Sequence, residues 1–366
     1  MKDSPTHKAQ KPSMSKFRRS LSSKRVVLVF VLLFAGIGAY LLFNGLAATN
    51  FVAQEAEVGA TTPATVVTDS TASGGKALQF NAAASTGSFM SYPLQTCTTS
   101  INGGSNIVIS NRSYSGCRGS SAIVITGANN VYIHDVDFDS NSGDIFLIND
   151  TGQIRVENIR ARNTGAGRTT NGSGQGEVIQ LNNTFDNGTG GIRNIKSFGG
   201  NTEDQISVFE SGGIDATHPL IIENNHIESP LPSDPVNGAL AWSSNSGTCI
   251  NSSDGPNGHD VIVRNNTVMN CGQAGILINQ GNRVTVTSNI IYGVQRPLSN
   301  VGLTQWNNVN CACSGNDMDH NRVYWINYNG APTPFSNSGT AGTLSGLSTN
   351  VLQDTTIDPN TLHVVL

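Results

Sequence analysis

LIIENNHI (220–227), VIVRNNTV (261–268) and VTVTSNII (284–291) are three copies of one phrase. Each is a short alternating strand, a polar kink ending in Asn, and a further apolar residue. Four weaker copies share the pattern: VYIHDVDF (131–138), IRVENIRA (154–161), GGIRNIKS (190–197) and NDMDHNRV (316–323). Aligned at the kink, they bring Val136, Ile159, Ile195, Asn225, Asn266, Asn289 and Asn321 to one position. The intervals are 23, 36, 30, 41, 23 and 32 residues, a base period near 23 with insertions. A strand-bearing period in this range, without helical spacing, predicts a β-solenoid.

The rest of the chain agrees. It has 40 Gly and only 13% charged residues, and no long stretch repeats apolar residues at helical intervals. Around the kink a whole turn can be followed. AGILIN (274–279) is strand one, VTV (284–286) strand two and IIYG (290–293) strand three. Strand one recurs as SAIVIT (121–126), DIFLIN (144–149), EVIQLN (177–182), DQISVF (204–209) and GALAWS (238–243).

This order, with Asn at the tight corner between strands two and three, resembles the pectate-lyase-like superfamily over 101–327. The resemblance implies an all-β fold: a right-handed parallel β-helix of three strands per coil and about seven to eight coils. At the corner Asn tolerates a left-handed backbone, and its amide can bond the next coil's Asn in a ladder. Asn225, Asn266, Asn289 and Asn321 are therefore read as scaffold. The superfamily hosts lyases, hydrolases, epimerases and adhesins, so the fold alone names no reaction.

Residues 1–25 carry eight Lys or Arg against Asp3, net +7, whereas the remainder has 13 basic and 24 acidic residues, net −11. An uncharged apolar run follows at 26–43, long enough to span a bilayer core. The basic flank would stay cytoplasmic and the acidic bulk would be exported. Segment 26–48 is expected to be a transmembrane signal anchor. A cleaved signal peptide is the alternative, with Gly45, Leu46 and Ala47 as its cleavage triplet. The segment 49–100 is expected to be a spacer or cap. Within it, 51–80 (FVAQEAEVGATTPATVVTDSTASGGKALQF) resembles the opening strands of carbohydrate-binding β-sandwich modules. Residues 328–366 are read as a C-terminal cap. Six Cys in an exported chain point to disulfides. Spacing favours Cys97–Cys117 and Cys249–Cys271 as staples between coils, with a metal site at Cys311 and Cys313 as the alternative.

Long insertions flank strand one on both sides, at 163–176, 229–238 and 294–300 before it and at 183–190, 211–218 and 244–259 after it. A glycan would lie along strand one between them. Stacking the strand-one segments aligns Asp144, Glu177 and Asp204 at their first positions, with Glu203 alongside. Coils are about 4.8 Å apart, which would separate Asp144 and Asp204 by about 9.6 Å. Like charges so spaced call for a counter-ion, and Ca²⁺ is the expected one.

One residue past the kink, a second column reads Asp137, Arg160, Lys196, His226, Thr267, Ile290 and Arg322. Lys196 is the candidate base, its pKa depressed by Arg160 and Arg193. The superfamily resemblance implies a lyase in which calcium bridges a uronate and a basic residue removes the α-proton. In the alternative, Arg160, Lys196 and His226 pair with Asp137, Glu157 and Glu228. Trp242, Trp306, Tyr292, Tyr324 and Trp325 could stack on sugar rings. An inverting hydrolase needs two carboxyls about 6.5–9.5 Å apart, and Asp144 with Asp204 would sit at the top of that window. The segment NTEDQISVF (201–209) resembles the paired-Asp segment of polygalacturonases, but no later segment supplies their other motifs. No phosphate-binding loop, zinc motif or nucleophile elbow occurs, and the acidic exported part argues against nucleic acid.

The expected protein is a monomeric β-helix on the cell membrane, its C-terminal domain outside, engaging a uronate-containing polysaccharide by β-elimination. A non-catalytic glycan-binding module or surface adhesin is the alternative.

Overall fold

The computed structural model describes residues 64–68, 76–80, 88–165, 176–229, 247–296, 299–306, 313–338 and 344–366. The chain divides into two compact units, Met1–Thr86 and Gly87–Leu366. In the first, Ala64–Thr68 pairs antiparallel with Lys76–Phe80. The apolar run 26–48 lies outside the described residues, among which no helix is long and apolar enough to cross a membrane.

The second unit is all-β and its long sheets are parallel, consistent with a parallel β-helix. Strand one of successive coils builds a nine-stranded sheet, and strands two and three build a fifteen-stranded one. Alternation in sequence becomes stacking in space. On strand one, Ile123, Ile145, Ile179, Ile206, Ile250, Ile276 and Leu303 are consecutive partners, all fully buried. On strand two, Ile133, Val156, Ile192, Ile222, Val263, Val286 and Met318 form a second file. Each such side chain contributes about 1.5–3 kcal/mol on burial. These files hold the coils together.

The corner after strand two is stapled by the expected amide ladder. Asn225, Asn266, Asn289 and Asn321 are all buried. Each accepts at Oδ1 from the backbone N–H of the residue one coil earlier, for example Asn225 N to Asn266 Oδ1 at 3.0 Å and Asn289 N to Asn321 Oδ1 at 3.0 Å. The ladder runs on to Asn350. One detail differs from expectation: the left-handed backbone belongs to the residue before the ladder Asn. Asn224, Asn265, Ser288 and His320 have φ between 51° and 58°. The division is physical, because the positive-φ residue turns the chain outward while the next one points its amide inward.

Cys97–Cys117 and Cys249–Cys271 are disulfides, with Cα atoms 5.3 and 5.4 Å apart, and Cys313 is also disulfide-bonded. Glycine matters where coils meet a large side chain. At Gly293 a Cβ would come within 2.4 Å of the buried Trp325 indole on the next coil.

Two assignments on strand one are corrected. The strand between Asp204–Phe209 and Ala274–Asn279 is Thr248–Asp254, which pairs with both. The expected GALAWS segment lies outside the described residues. TCINSSD has little apolar alternation and reads as loop, yet its backbone completes both ladders. Parallel pairing also continues outside 101–327, through Thr99–Asn102 at one end and Phe335–Ser338 at the other.

Candidate functional site

The expected acidic column is out of register by one residue at its first member. Ile145 and Ile206 both pair with Ile179, so Asp204 lies opposite Glu177 but Asp144 lies opposite Val178. The strand there begins at Gly143, ahead of Asp144. Asp144 thus alternates with the core residues Ile145 and Leu147 rather than sharing their side, yet it has no exposed surface. Thr164 Oγ1 donates to its Oδ2 at 2.6 Å and Asn141 Nδ2 to its Oδ1 at 3.0 Å. Burial pushes its pKa up to about 7. It pins the corner between strands three and one.

Asp204 opens the strand Asp204–Phe209, with Glu203 just before it and Glu177 two residues ahead of the neighbouring strand Ile179–Asn182. Thr248 N donates to Asp204 Oδ1 at 3.2 Å and Asn251 Nδ2 donates to Oδ2 at 3.0 Å. Burial raises the Asp204 pKa to about 7, with the charges of Glu203 and Asp254 adding to it and the Asn251 bond opposing it. Asp254 is likewise held above the usual carboxylate range, chiefly by burial. Its Oδ1 accepts from Asn279 Nδ2 at 2.9 Å.

Of the residues expected to bind calcium, Asp144 lies out of register with Glu177, Asp204 and Glu203. Calcium takes six to eight oxygens. No three acidic, His or Cys side chains among the described residues are grouped to hold a metal ion.

The basic column has the expected register throughout. Asp137 pairs with Arg160, Arg160 with Lys196, Lys196 with His226, His226 with Thr267, Thr267 with Ile290, and Ile290 with Arg322. It lies in the fifteen-stranded sheet, whereas Asp204 lies on the other. Arg160 is buried in a two-bond pair with Asp137, Nε to Oδ1 2.6 Å and Nη2 to Oδ2 2.7 Å. Residues of the segment before the first coil cover this pair: Met90 N donates to Asp137 Oδ2 at 2.9 Å and Arg160 Nη2 to Ser88 O at 3.3 Å. Arg193 sits on strand two, ion-paired to Glu223 at 2.6 Å, which also holds Arg264.

Further along the column the C-terminal tail is the cover. Lys196 Nζ donates to Val365 O at 2.9 Å and His226 Nε2 to Leu362 O at 2.6 Å. Glu228 accepts from Val364 N and contacts His363 Nδ1, both at 3.0 Å. Of the local pairings expected as the alternative, Arg160 with Asp137 is present. Glu157 is instead engaged by Arg155 on its own strand and by the Tyr132 hydroxyl.

The outward face of strand one is differently made. A cleft of about 300 Å³ lies there, lined by Gln273, Leu277, Asn300, Thr304, Trp306 and Ser336 among others. Leu277, Thr304 and Ser336 stack in register, as do Asn279, Trp306 and Ser338. Trp306 keeps 39% of its surface exposed. Asn251 continues the Leu277 row onto the preceding coil. Of the other aromatic candidates, Trp325 is core, Tyr292 and Tyr324 stack on each other with centroids 5.2 Å apart, and Trp242 lies outside the described residues. A second depression of about 540 Å³ at the strand-three face has Arg162 in its wall, but Arg162 is paired to Asp139 at 2.8 Å and stacks on Phe89.

Asn251, Asp254, Leu277 and Thr304 were not legible as site residues. A signal existed: strand one begins 15–21 residues before each kink residue, as at Asp204 for Asn225 and Ala274 for Asn289. Thr248 stands 18 before Asn266, whereas Gly238 stands 28 before it.

Comparison of the chain with protein-family models, curated proteins and solved structures yields no match.

Proposed function

We propose that this protein is a non-catalytic glycan-binding β-helix, right-handed and akin to the pectate-lyase-like superfamily. It would be held at the outer cell surface by its N-terminal apolar segment and present the strand-one face to polysaccharide. The observation that carries this reading is the cleft around Trp306: an exposed indole beside a row of neutral hydrogen-bonding side chains, the combination that suits a sugar's apolar face and its hydroxyls. Support also comes from the basic residues. Arg160 and Arg193 are ion-paired, and Lys196 meets the chain's own C-terminal tail in the other sheet. This favours binding over β-elimination.

Cleavage is the second reading, favoured by Asp204, which holds its proton to about pH 7 and so has the character of a general acid. Both readings are tested by incubating the full chain with a panel of soluble polysaccharides. Binding without new reducing ends or unsaturated products is expected. Trp306→Ala should weaken that binding at least about tenfold, as loss of a stacking anchor does. Turnover abolished by Asp204→Asn would establish the enzyme instead.

A further inference from the structure

The strand-one segments are electrostatically one-sided. Across 176–182, 203–210, 247–254, 273–280, 300–306 and 335–338 there are five carboxylates, Glu177, Glu203, Asp204, Glu210 and Asp254, and no Lys or Arg. Carboxylates alone define no ligand, but a second observation lies among them. Asn251 is 4% exposed and gives its Nδ2 to Asp204, while its carbonyl Oδ1 has no hydrogen-bond partner. A buried acceptor left unpaired costs about 1–3 kcal/mol, so a donor is wanted there.

The same row continues to the cleft. Asn251 pairs with Leu277, Asp254 accepts from Asn279, and Asn279 pairs with Trp306. At about 4.8 Å per coil the indole and the Asp254 carboxylate are roughly 10 Å apart, so one extended glycan laid across the coils meets both.

We propose that this face selects a glycan bearing free ammonium groups, a polymer of unacetylated 2-amino-2-deoxyhexose, rather than the uronate polymer expected from the sequence. The inference rests on the glycan-binding reading and specifies its ligand. An ammonium supplies three donors and a positive charge, which meets both the unpaired Asn251 oxygen and the surrounding carboxylates. A hydroxyl meets only the first, and a uronate is repelled by the second. A bare metal ion lacks a converged ligand set among the described residues. Burial is the main cause of the raised Asp204 pKa, and the charges of Glu203 and Asp254 add to it, a field that the ammonium would relieve.

The test is calorimetric titration of the full chain with a glucosamine hexamer, its fully N-acetylated counterpart, a galacturonate hexamer and hexalysine. The unacetylated hexamer should bind at least about tenfold more tightly than the acetylated one, with the advantage shrinking as salt is added. Asp254→Asn should remove the advantage of the unacetylated hexamer, and Trp306→Ala should weaken both. Equal affinity for the two hexamers, or preference for galacturonate with or without millimolar calcium, overturns the ammonium specificity and leaves the glycan reading standing. Hexalysine binding as tightly as the unacetylated hexamer overturns it too, since the face would then be a general cation trap. No binding by any of the three sugars defeats the glycan reading itself.

Discussion

Asn266 is tied to Asn289 on the next coil by two bonds to one atom: its backbone N and its Nδ2 both donate to Asn289 Oδ1 at 2.9 Å. The second Nδ2 proton goes back to Ile222 O at 3.0 Å, and Asn225 N donates to Asn266 Oδ1 at 3.0 Å. One side chain thus joins three coils. Removing it leaves a buried N–H and a buried carbonyl unpaired at once.

Asn266→Ala is therefore expected to destabilise the second unit by about 1–3 kcal/mol or somewhat more. The measurement is the shift in urea midpoint at unchanged slope. A shift indistinguishable from that of an exposed control such as Asn257→Ala would show that the ladder is decorative.

The Arg160–Asp137 pair should behave as a buried ion pair. Arg160→Leu leaves the Asp137 carboxylate uncompensated and should cost about 3–5 kcal/mol. Adding Asp137→Leu to the same chain should restore much of the loss. A thermodynamic cycle over the four chains reads the coupling, and simple additivity of the two losses would sink the pairing argument.

The C-terminal tail should protect one face only. A chain ending at residue 357 lacks the bonds to Lys196, His226 and Glu228, and it loses Leu362, which packs with Met269 and Ile357. Amide hydrogen exchange should quicken over His226–Glu228, Thr267–Met269 and Ile290–Gly293, while Asp204–Phe209 and Ala274–Asn279 keep their protection. Uniform loss of protection would mean that the tail stabilises the whole solenoid rather than covering strand three.

Acid should favour the fold at two interior carboxyls. Asp144 and Asp204 have folded pKa values of about 7, above the ordinary 3.8, because burial penalises the charged form. The folded state then holds protons that the unfolded chain has released. The stability so contributed is complete below about pH 4 and is lost as pH rises to about 7, with a limiting slope near 1.4 kcal/mol per pH unit per group. Carboxylates with lowered values, such as Glu223 and Asp260, pull the other way at lower pH. Comparison with Asp144→Asn isolates the effect: the parent should lose more stability than the variant between pH 4 and 7. Parallel curves would refute it.

Much of this molecule was legible because its information is local and repeated. The kink phrase located the corners, and counting one residue past it placed Arg160 against Lys196 and Lys196 against His226. The near-23-residue spacing of Cys249 and Cys271 marked one coil. The candidate site was legible in part. Strand one was the face to examine and Trp306 was among its aromatic candidates. Asp144 was misplaced because a period-2 strand reverses its meaning when slipped by one residue, and Gly143 gives no apolar cue.

What the sequence by itself determined is the repeating unit: strand, corner, ladder Asn and the parity of the core files, since each follows from side-chain alternation and the backbone needs of a tight turn. Only the tertiary structure decided how the strand-three face is covered. The covers on strand three reach across 72 positions from Ser88 to Arg160 and 169 from Lys196 to Val365. No periodicity encodes such contacts. They form because a buried charge such as Arg160 needs partners, and segments outside the coils, at Ser88 and at Leu362–Val365, reach back over strand three.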